Sequence, residues 1–318
     1  HFMTAWQVFA MSTKYGQWML QKHGCFSINR EATDMQAFKQ GVGILRQGDH
    51  PLLIFPEGDI YHSNDRTMPF REGAAAIALS AMKKGDRPIV VIPAAMKCFY
   101  TEDPTEQLVA TMGRLEEHIR WRPRPDLPLV ERIYRFGNGF LALKEVEYLG
   151  EPNSGPVKER IQTLALAILQ QLREKHGITN SGEDVHGRIR HVRGNLIKRV
   201  DKLLNGKKER DLAPSDAREL HRLREALQDV FFVTQLSSYH GDYSSEKPTL
   251  ERLAETIDKF EEDVFALHYP KVRGTRKAVV RFGSPLHLSE PRPSVGELTD
   301  QMETSVQQLL DKMNAERD

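Results

Sequence analysis

A short run, Phe55-Pro56-Glu57-Gly58, combines residue types that place a carboxylate at the end of a strand. Four consecutive apolar residues, 52–55, predict a strand that is buried on both faces, and Pro56 and Gly58 stop it. Proline fixes the backbone that leaves the strand, and glycine permits a close approach or an unusual dihedral. In a parallel sheet, ligands bind at this carboxyl end of the strands. The run therefore predicts a ligand-facing carboxylate, with an ordinary strand-ending turn as the alternative.

Three further segments accompany this run in a fixed order. Gly24 to Arg30 precedes it, Pro69 to Ala75 follows it, and Val91 to Ala95 closes the series. Their order and spacing resemble the phospholipid/glycerol acyltransferase family, which includes lysophosphatidate and glycerol-3-phosphate acyltransferases. The likeness covers the chain from its first residue to about residue 100.

The resemblance implies a 1-acylglycerol-3-phosphate acyltransferase-like enzyme. Such an enzyme moves a fatty acyl group from acyl-CoA or acyl-carrier protein to a glycerol phosphate or lysophospholipid. A base must take the acceptor's hydroxyl proton, and a cationic site must hold its phosphate. No metal or tightly held cofactor is required, because the acyl donor is a cosubstrate. The expected ligands are therefore the acceptor and the acyl donor.

The resemblance also assigns an acceptor-binding role to particular residues, namely Arg30 and Phe55, Pro56, Glu57 and Gly58. Arginine suits this role because its planar fork meets phosphate oxygens in pairs. A surface salt bridge is the alternative for Arg30. Since two anions repel, Glu57 is expected to accept hydrogen bonds from glycerol hydroxyls or to hold a neighbouring arginine.

The sequence departs from the family pattern directly after the glycine, where threonine, arginine and serine are usual. Here the run is Asp59-Ile60-Tyr61, so the usual arginine is absent. Arg66 and Arg71 lie close enough downstream to supply its charge at the substrate site. His62 and Asp65 also lie in this segment, either as an acid-base pair or as exposed polar loop residues.

The catalytic residues themselves cannot be assigned. The family supplies a histidine and an aspartate separated by four residues, and none of the 12 histidines has an aspartate at that spacing. We expect the pair to lie upstream of His1, with true loss of the pair as the alternative. This chain is therefore predicted to be inactive as it stands. The alternative function is that of a non-catalytic lipid- or protein-binding relative. A hydrolase is not supported, because the sequence contains no Gly-x-Ser-x-Gly nucleophile elbow.

The elements that must position these residues alternate in the first hundred residues. Extended patterns at 25–28, 52–55 and 88–93 alternate with helical patterns at 34–45 and 73–82. The predicted fold is α/β, a mostly parallel sheet flanked by helices, with an added helical region in the C-terminal half.

The rest of the chain predicts the domain organisation. We expect an acyltransferase core over 1–150, a mainly helical region over 151–275, and a possible final strand and C-terminal helix over 276–318. Helical patterns cover 156–175, 248–268 and 295–313, and 278–283 is extended. The segment 146–150 is a possible strand that competes with 278–283 for the place of the family's last strand.

Charge and composition restrict the partners. A net charge of +1 gives no bulk attraction to nucleic acid. The two cysteines, Cys25 and Cys98, make a disulfide framework or structural zinc improbable. Residues 2–20, rich in aromatic side chains and methionine, predict either a helix in a headgroup layer or a core helix. The basic run 188–210 is either a contact for anionic lipids or a solvated face. We therefore predict a cytoplasmic, peripheral membrane protein.

Overall fold

The structure, a computed structural model, describes residues 1–30, 34–84, 87–179, 184–205, 209–239, 248–265, 267 and 270–316. The chain divides into two compact units. The first comprises His1–Phe99 and Lys277–Asp318, and the second comprises Tyr100–Arg276. Each hydrophobic cluster formed by the described residues lies within one unit, so each unit has its own core.

Strands and helices follow one another along the chain, and the longest connection lies between residues 47 and 73. In chain order they are β1 (Phe2–Ala5), α1 (Trp6–Met11), α2 (Lys14–Lys22), β2 (Cys25–Ile28), α3 (Met35–Gln47), α4 (Gly73–Lys84), β3 (Val90–Val91), β4 (Ala94–Tyr100), α5 (Thr105–His118), α6 (Leu129–Leu149), α7 (Val157–His176), α8 (Val185–Leu204), α9 (Pro214–Leu236), α10 (Leu250–Phe265), β5 (Arg276–Phe282), β6 (Leu286–His287) and α11 (Val295–Ala315).

The described strands form three two-stranded sheets. β1 pairs in parallel with β2, β3 pairs antiparallel with β6, and β4 pairs with β5. A parallel bridge also joins Phe2 to Leu53, where the Met3 amide donates to the Leu53 carbonyl at 3.1 Å. Parallel pairing thus begins the first unit, while the single, mostly parallel sheet that the sequence predicts stays a prediction.

The helical prediction for residues 2–20 is wrong over its first residues, which form β1. These residues are extended because their backbone groups pair with β2, and the Phe2 amide donates to the Gly24 carbonyl at 3.0 Å. Two helices, α1 and α2, follow. No residue of either helix is buried, so the interpretation of this segment as a core helix is also wrong.

The segment 52–55 differs from the expected strand with two buried faces. Leu52 and Ile54 pack against the core that surrounds α4, but Leu53 is 40% exposed and Phe55 is 67% exposed. Only Leu53 takes part in a β-bridge. The alternation arises because a single layer covers the segment, on the side that Leu52 and Ile54 face. An apolar side chain, Phe55, is thereby left exposed beside Glu57.

The second unit is built from helices α5 to α10. Its cores are formed by α7, α8 and α9 and by α5, α6 and α10. The helices predicted at 156–175 and 248–268 are present as α7 and α10, although residues 266, 268 and 269 lie outside the described residues. The possible strand at 146–150 is wrong: these residues end α6, and Gly150 stops the helix in the left-handed conformation, with φ +89°.

The core of the first unit positions the segment that carries Glu57. Ala75 and Ala78 of α4 pack with Leu298 and Met302 of α11, and Val42 of α3 joins the same cluster. The predicted helices 34–45, 73–82 and 295–313 are confirmed as α3, α4 and α11, and the extended segment 278–283 is confirmed as β5. The compact units divide the chain at residues 99/100 and 276/277, and the predicted domain ranges 1–150, 151–275 and 276–318 stay predictions.

Candidate functional site

Residues 55–72, here called the Glu57 loop, lead to α4 without a helix or strand. The loop starts with a tight turn, in which the Gly58 amide donates to the Phe55 carbonyl at 3.2 Å. Gly58 has φ +72°, and a Cβ atom there would lie 2.3 Å from Nε of Arg71. Both the backbone conformation and the close approach therefore require glycine at this position.

Arg30 reaches the turn from the carboxyl end of β2. Its Nη1 donates to the Gly58 carbonyl at 2.6 Å and lies 3.4 Å from Oδ1 of Asp59. Its Nε is buried and has no hydrogen-bond partner among the described residues. The guanidinium of Arg30 is thus directed into the turn rather than into an exposed salt bridge, and it retains a donor for a further acceptor.

Arg71 completes the cluster from the far end of the loop. Its Nη2 donates to Oδ2 of Asp59 at 2.9 Å, its Nη1 donates to the Arg30 carbonyl at 2.9 Å, and its amide donates to the Pro56 carbonyl at 2.8 Å. Asp59, one of the residues that depart from the family pattern, therefore holds two guanidinium groups together. Of these three described side chains, two are cationic and one is anionic, and the paired donors of the guanidinium groups suit an anionic ligand.

Arg66 lies in the middle of the Glu57 loop, and its predicted role in binding substrate stays a prediction. Of the two arginines considered as replacements for the family's arginine, Arg71 is the one with described contacts to Arg30 and Asp59. The replacement comes from the distal end of the loop because the chain turns back, placing Arg71 against Gly58.

Glu57 is held inside the loop and titrates near neutral pH. Burial, together with the nearby negative charge of Glu303, raises its pKa from 4.5 to about 7, although a hydrogen bond from the Met68 backbone opposes this rise. Near neutral pH both the protonated and the ionised forms of Glu57 are therefore populated. A protonated carboxyl donates a hydrogen bond as well as accepting one, so Glu57 has more binding modes than the purely accepting role expected from sequence.

Asp65, which lies in the same loop, forms an ion pair with a buried lysine of β4. Its carboxylate pairs with Nζ of Lys97, whose side chain is almost completely buried. The neighbouring Asn64 side chain bonds both the amide and the carbonyl of Cys98, at 2.8 and 2.7 Å. These contacts favour a structural role for Asp65 over an acid-base pair with His62.

Two side chains of α11, those of Glu303 and Gln307, contact the loop, and neither was identified from the sequence. Oε2 of Glu303 accepts from the Phe70 amide at 2.8 Å, and Oε1 of Gln307 accepts from the Thr67 amide at 2.9 Å. Both contacts join residues more than 200 positions apart, so no local pattern could have predicted them. The four-residue spacing of Glu303 and Gln307 on one helix was the only available signal.

A cavity of about 660 Å³ lies between β2 and the first two helices. Trp6, Phe9 and Phe26 supply apolar walls, and Gln17 and Gln21 supply amides. This volume lies within the range of small-molecule sites. The first unit thus contains space for a substrate in addition to the arginine cluster.

Comparison with protein families gives a match for the N-terminal part of the first unit. A family model described as acyltransferase matches residues 2–97. Residues 2–97 therefore resemble the acyltransferase family. The matched segment includes Arg30, Asp59 and Arg71, whereas α11 lies outside it. The match supports a general acyltransferase role, with an acyl donor and an acyl acceptor as substrates.

No curated protein and no solved structure matches the chain. Within the described residues, no helix is long and apolar enough to cross a membrane.

Proposed function

We propose that the acyltransferase transfers a fatty acyl group from acyl-CoA or acyl-carrier protein to the hydroxyl of a glycerol phosphate or lysophospholipid. The observation that carries this proposal is the cluster of Arg30 and Arg71 around Asp59, beside the Gly58 turn. Paired guanidinium groups bind phosphate oxygens in a defined orientation. The phosphate of the acceptor would lie against this cluster, so that its glycerol hydroxyls reach Glu57.

The main requirement of the proposed reaction is to position the acceptor hydroxyl against the acyl thioester. The acceptor oxygen forms a bond to the acyl carbonyl carbon, the carbon–sulfur bond of the thioester breaks, and the departing thiolate receives the proton. Holding the hydroxyl in line with the thioester lowers the entropic part of the barrier. Glu57 would orient the hydroxyl as acceptor or donor of a hydrogen bond. No metal or resident cofactor enters this proposal.

A base for the hydroxyl proton is not assigned. None of the 12 histidines has an aspartate at the spacing that the family uses. We therefore expect this chain to bind a glycerol phosphate acceptor without transferring an acyl group to it. Acyl transfer by the 318-residue chain alone would show that another of its residues takes the proton.

Calorimetric titration of the chain with glycerol 3-phosphate tests the proposal. Arg30→Ala should weaken binding by about tenfold or more, because a charge-assisted hydrogen-bonding group is lost. Arg30→Lys should give an intermediate affinity, since it keeps the charge but not the fork. Arg46→Ala, a change of an exposed arginine at the end of α3, is the matched control.

Titration with inorganic phosphate separates recognition of the phosphate from recognition of the glycerol. Stronger binding of glycerol 3-phosphate than of phosphate supports contacts to the hydroxyls. Absence of binding by the unmodified chain, or equal affinity of the Arg30→Ala and Arg46→Ala variants, contradicts the proposal.

A non-catalytic lipid-binding relative is the second candidate, because the family's histidine-aspartate pair is absent from the sequence. Helix α8 favours it further, since Arg188, Arg190 and Arg193 and the lysines that follow make this helix strongly basic. This candidate predicts tight binding of anionic lipid by the chain and no dependence of that binding on Arg30. Repeating the comparison of Arg30→Ala with Arg46→Ala on vesicles of anionic lipid therefore separates the two candidates.

We also propose that the acyltransferase binds the membrane surface peripherally, at the cytoplasmic side. Helices α1 and α2 support this, because Trp6, Met11, Tyr15 and Trp18 are exposed. Residues 1–30 contain no aspartate or glutamate, whereas Lys14 and Lys22 lie on α2. Exposed aromatic residues flanked by lysine are typical of contacts with anionic lipid headgroups.

A further inference from the structure

Helix α11 supplies hydrogen-bond acceptors to backbone amides of the Glu57 loop. The Glu57 loop contains no helix or strand, so its amides lack the partners that regular structure provides. Glu303 accepts from the Phe70 amide at 2.8 Å. Gln307 accepts from the Thr67 amide at 2.9 Å and donates to the Asp65 carbonyl at 3.2 Å. The far half of the loop is thereby fastened to α11.

The hydrogen bonds of the Thr67 and Phe70 amides lie on either side of Met68, whose backbone bonds the Glu57 carboxyl. The Met68 backbone donates to the Glu57 carboxyl, and Thr67 and Phe70 flank Met68 in sequence. If the amides of Thr67 and Phe70 lost their partners, the Met68 amide between them would be free to shift. The position of the Glu57 carboxyl therefore depends on α11.

The helix itself is firmly anchored. Leu298 and Met302 are buried in the core formed with α4, and Ser294 and Glu297 form a capping box at the N-terminus of α11. Arg71, at the end of the same loop, contacts Asp59. The Glu57 loop is thus held in place by hydrogen bonds to the anchored helix α11 and by the ion pair between Arg71 and Asp59.

We infer that Glu303 and Gln307 are positioning residues of the acceptor site, which fix the Glu57 loop in the geometry that binds the acceptor. This inference rests on the proposed function. The inference extends the acceptor site beyond the segment that matches the acyltransferase family, because that match covers residues 2–97 and α11 begins only at Val295. Neither residue touches the proposed acceptor, and both act through the loop.

Glu303 has a second effect that a purely structural residue would lack. Its negative charge contributes to the raised pKa of Glu57. Glu303→Gln keeps an oxygen that accepts from the Phe70 amide but removes the charge. Because burial is the larger cause of the raised pKa, this variant should leave the loop fixed and lower the pKa of Glu57 only part of the way from about 7 toward 4.5, as followed by NMR of labelled glutamate carboxyls.

The test uses the full chain and combines two measurements. Hydrogen exchange, followed by mass spectrometry over peptides covering 63–72, reports whether the loop is fixed. Calorimetry with glycerol 3-phosphate reports whether the acceptor site is intact. The variants are Glu303→Ala, Glu303→Gln and Gln307→Ala, with Gln308→Ala as the matched control, since Gln308 is exposed on the same helix.

We expect Glu303→Ala and Gln307→Ala each to speed exchange in peptides 63–72 by about tenfold and to weaken glycerol 3-phosphate binding by a similar factor. Gln308→Ala should change neither, and Glu303→Gln should restore most of the affinity. Unchanged exchange in both alanine variants overturns the inference. The inference is also overturned if the two alanine variants exchange faster but bind glycerol 3-phosphate with unchanged affinity, while Arg30→Ala weakens that binding.

Failure of the proposed function gives a different pattern. If the unmodified chain does not bind glycerol 3-phosphate, the acceptor assignment fails, and the positioning role at an acceptor site fails with it. The exchange data then still decide whether α11 fixes the loop. If the chain binds and the exchange is unchanged, only the inference about α11 fails.

Discussion

Burial of Glu57 in the folded protein opposes the ionisation of its carboxyl. Its carboxyl lies in a partly dry site near a second carboxylate, Glu303, and this raises its pKa to about 7. Groups with displaced pKa values occur often at functional sites, although ion pairs in purely structural networks show them as well. At Glu57 the displacement accompanies an adjacent arginine cluster, which favours the functional interpretation.

Glu57→Gln is expected to change the pH dependence of stability. Below pH 4.5 the unfolded and folded chains both carry a protonated Glu57, so burial has no charge penalty. Between pH 4.5 and about 7 the unfolded chain loses this proton first, so the free energy of unfolding falls as the pH rises. The variant lacks this loss and should gain about 1–3 kcal/mol relative to the native chain between pH 5 and pH 8.

Urea denaturation at pH 5 and pH 8 measures this gain. Glu117→Gln, at an exposed position on α5, is the control and should show no such gain. A gain that is equal in the two variants would mean that Glu57 is not buried as the structure has it.

Gly58→Ala is expected to damage the turn and the cluster together. The alanine would adopt an unfavourable positive φ, and its Cβ would displace the Arg71 side chain. We expect a loss of about 1–3 kcal/mol in the free energy of unfolding and weaker glycerol 3-phosphate binding. Gly43→Ala in α3 is the matched control, because no atom lies near its added Cβ.

The control should be neutral or stabilising by about 1 kcal/mol, since alanine favours a helix more than glycine does. Thermal unfolding and calorimetry of both variants check this pair of expectations. A Gly58→Ala chain as stable as the Gly43→Ala chain would contradict the geometry of the turn.

At the scale of elements, α1 and α2 form the most exposed apolar surface of the segment before β2. Neither helix buries a residue, and Tyr15 stacks on Trp18 with ring centroids 5.8 Å apart. Exposed apolar side chains that are contiguous mark an interaction site more often than scattered ones do. Lys22 lies 5.8 Å from the centroid of the Trp18 ring, which brings a positive charge to the same surface.

Joint substitution of Trp6 and Trp18 by alanine is expected to weaken binding to phosphatidylglycerol vesicles by about tenfold or more, because both rings would enter the headgroup layer. Phe282→Ala, at an exposed site on β5, is the control and should bind as the native chain does. Vesicle sedimentation measures both. Binding of the native chain to neutral phosphatidylcholine vesicles with equal strength would contradict the contribution of the lysines.

At the scale of the whole molecule, the second unit is continuous in sequence and has separate cores. Its buried charges are also paired internally, since Arg132 bonds Glu116 at 2.8 Å and Arg160 bonds Glu145 at 2.6 Å. Breaking one partner of such a pair leaves an uncompensated buried charge, at a cost of about 3–5 kcal/mol. These two buried ion pairs therefore lie wholly within the second unit.

A fragment of residues 100–276 is accordingly expected to fold by itself. Circular dichroism should show a helical spectrum, and urea should unfold the fragment cooperatively. Leu164→Ala, at a fully buried position of α7, should destabilise the fragment by about 2–5 kcal/mol, whereas Leu166→Ala, at an exposed position of the same helix, should not. A fragment without a cooperative transition would contradict the assignment of separate cores.

Local sequence was sufficient for features that depend on neighbours in the chain. The apolar spacing of α3, α7 and α10 follows the helical period, and the turn at Gly58 follows from a proline and a glycine close together. The arginine at the end of β2 was also found from its motif. The possible strand at 146–150 failed because β-branched and aromatic residues also fit the end of a long helix, here α6.

The sequence by itself determined the family of residues 2–97, the helices with regular apolar spacing, and the candidates Arg30, Glu57 and Gly58. Only the tertiary structure decided that Arg71 joins Arg30 through Asp59, and that Glu303 and Gln307 hold the loop. The physical reason is that hydrogen bonds and charge interactions depend on distance in space. Contacts across more than 200 positions leave no periodic signal along the chain.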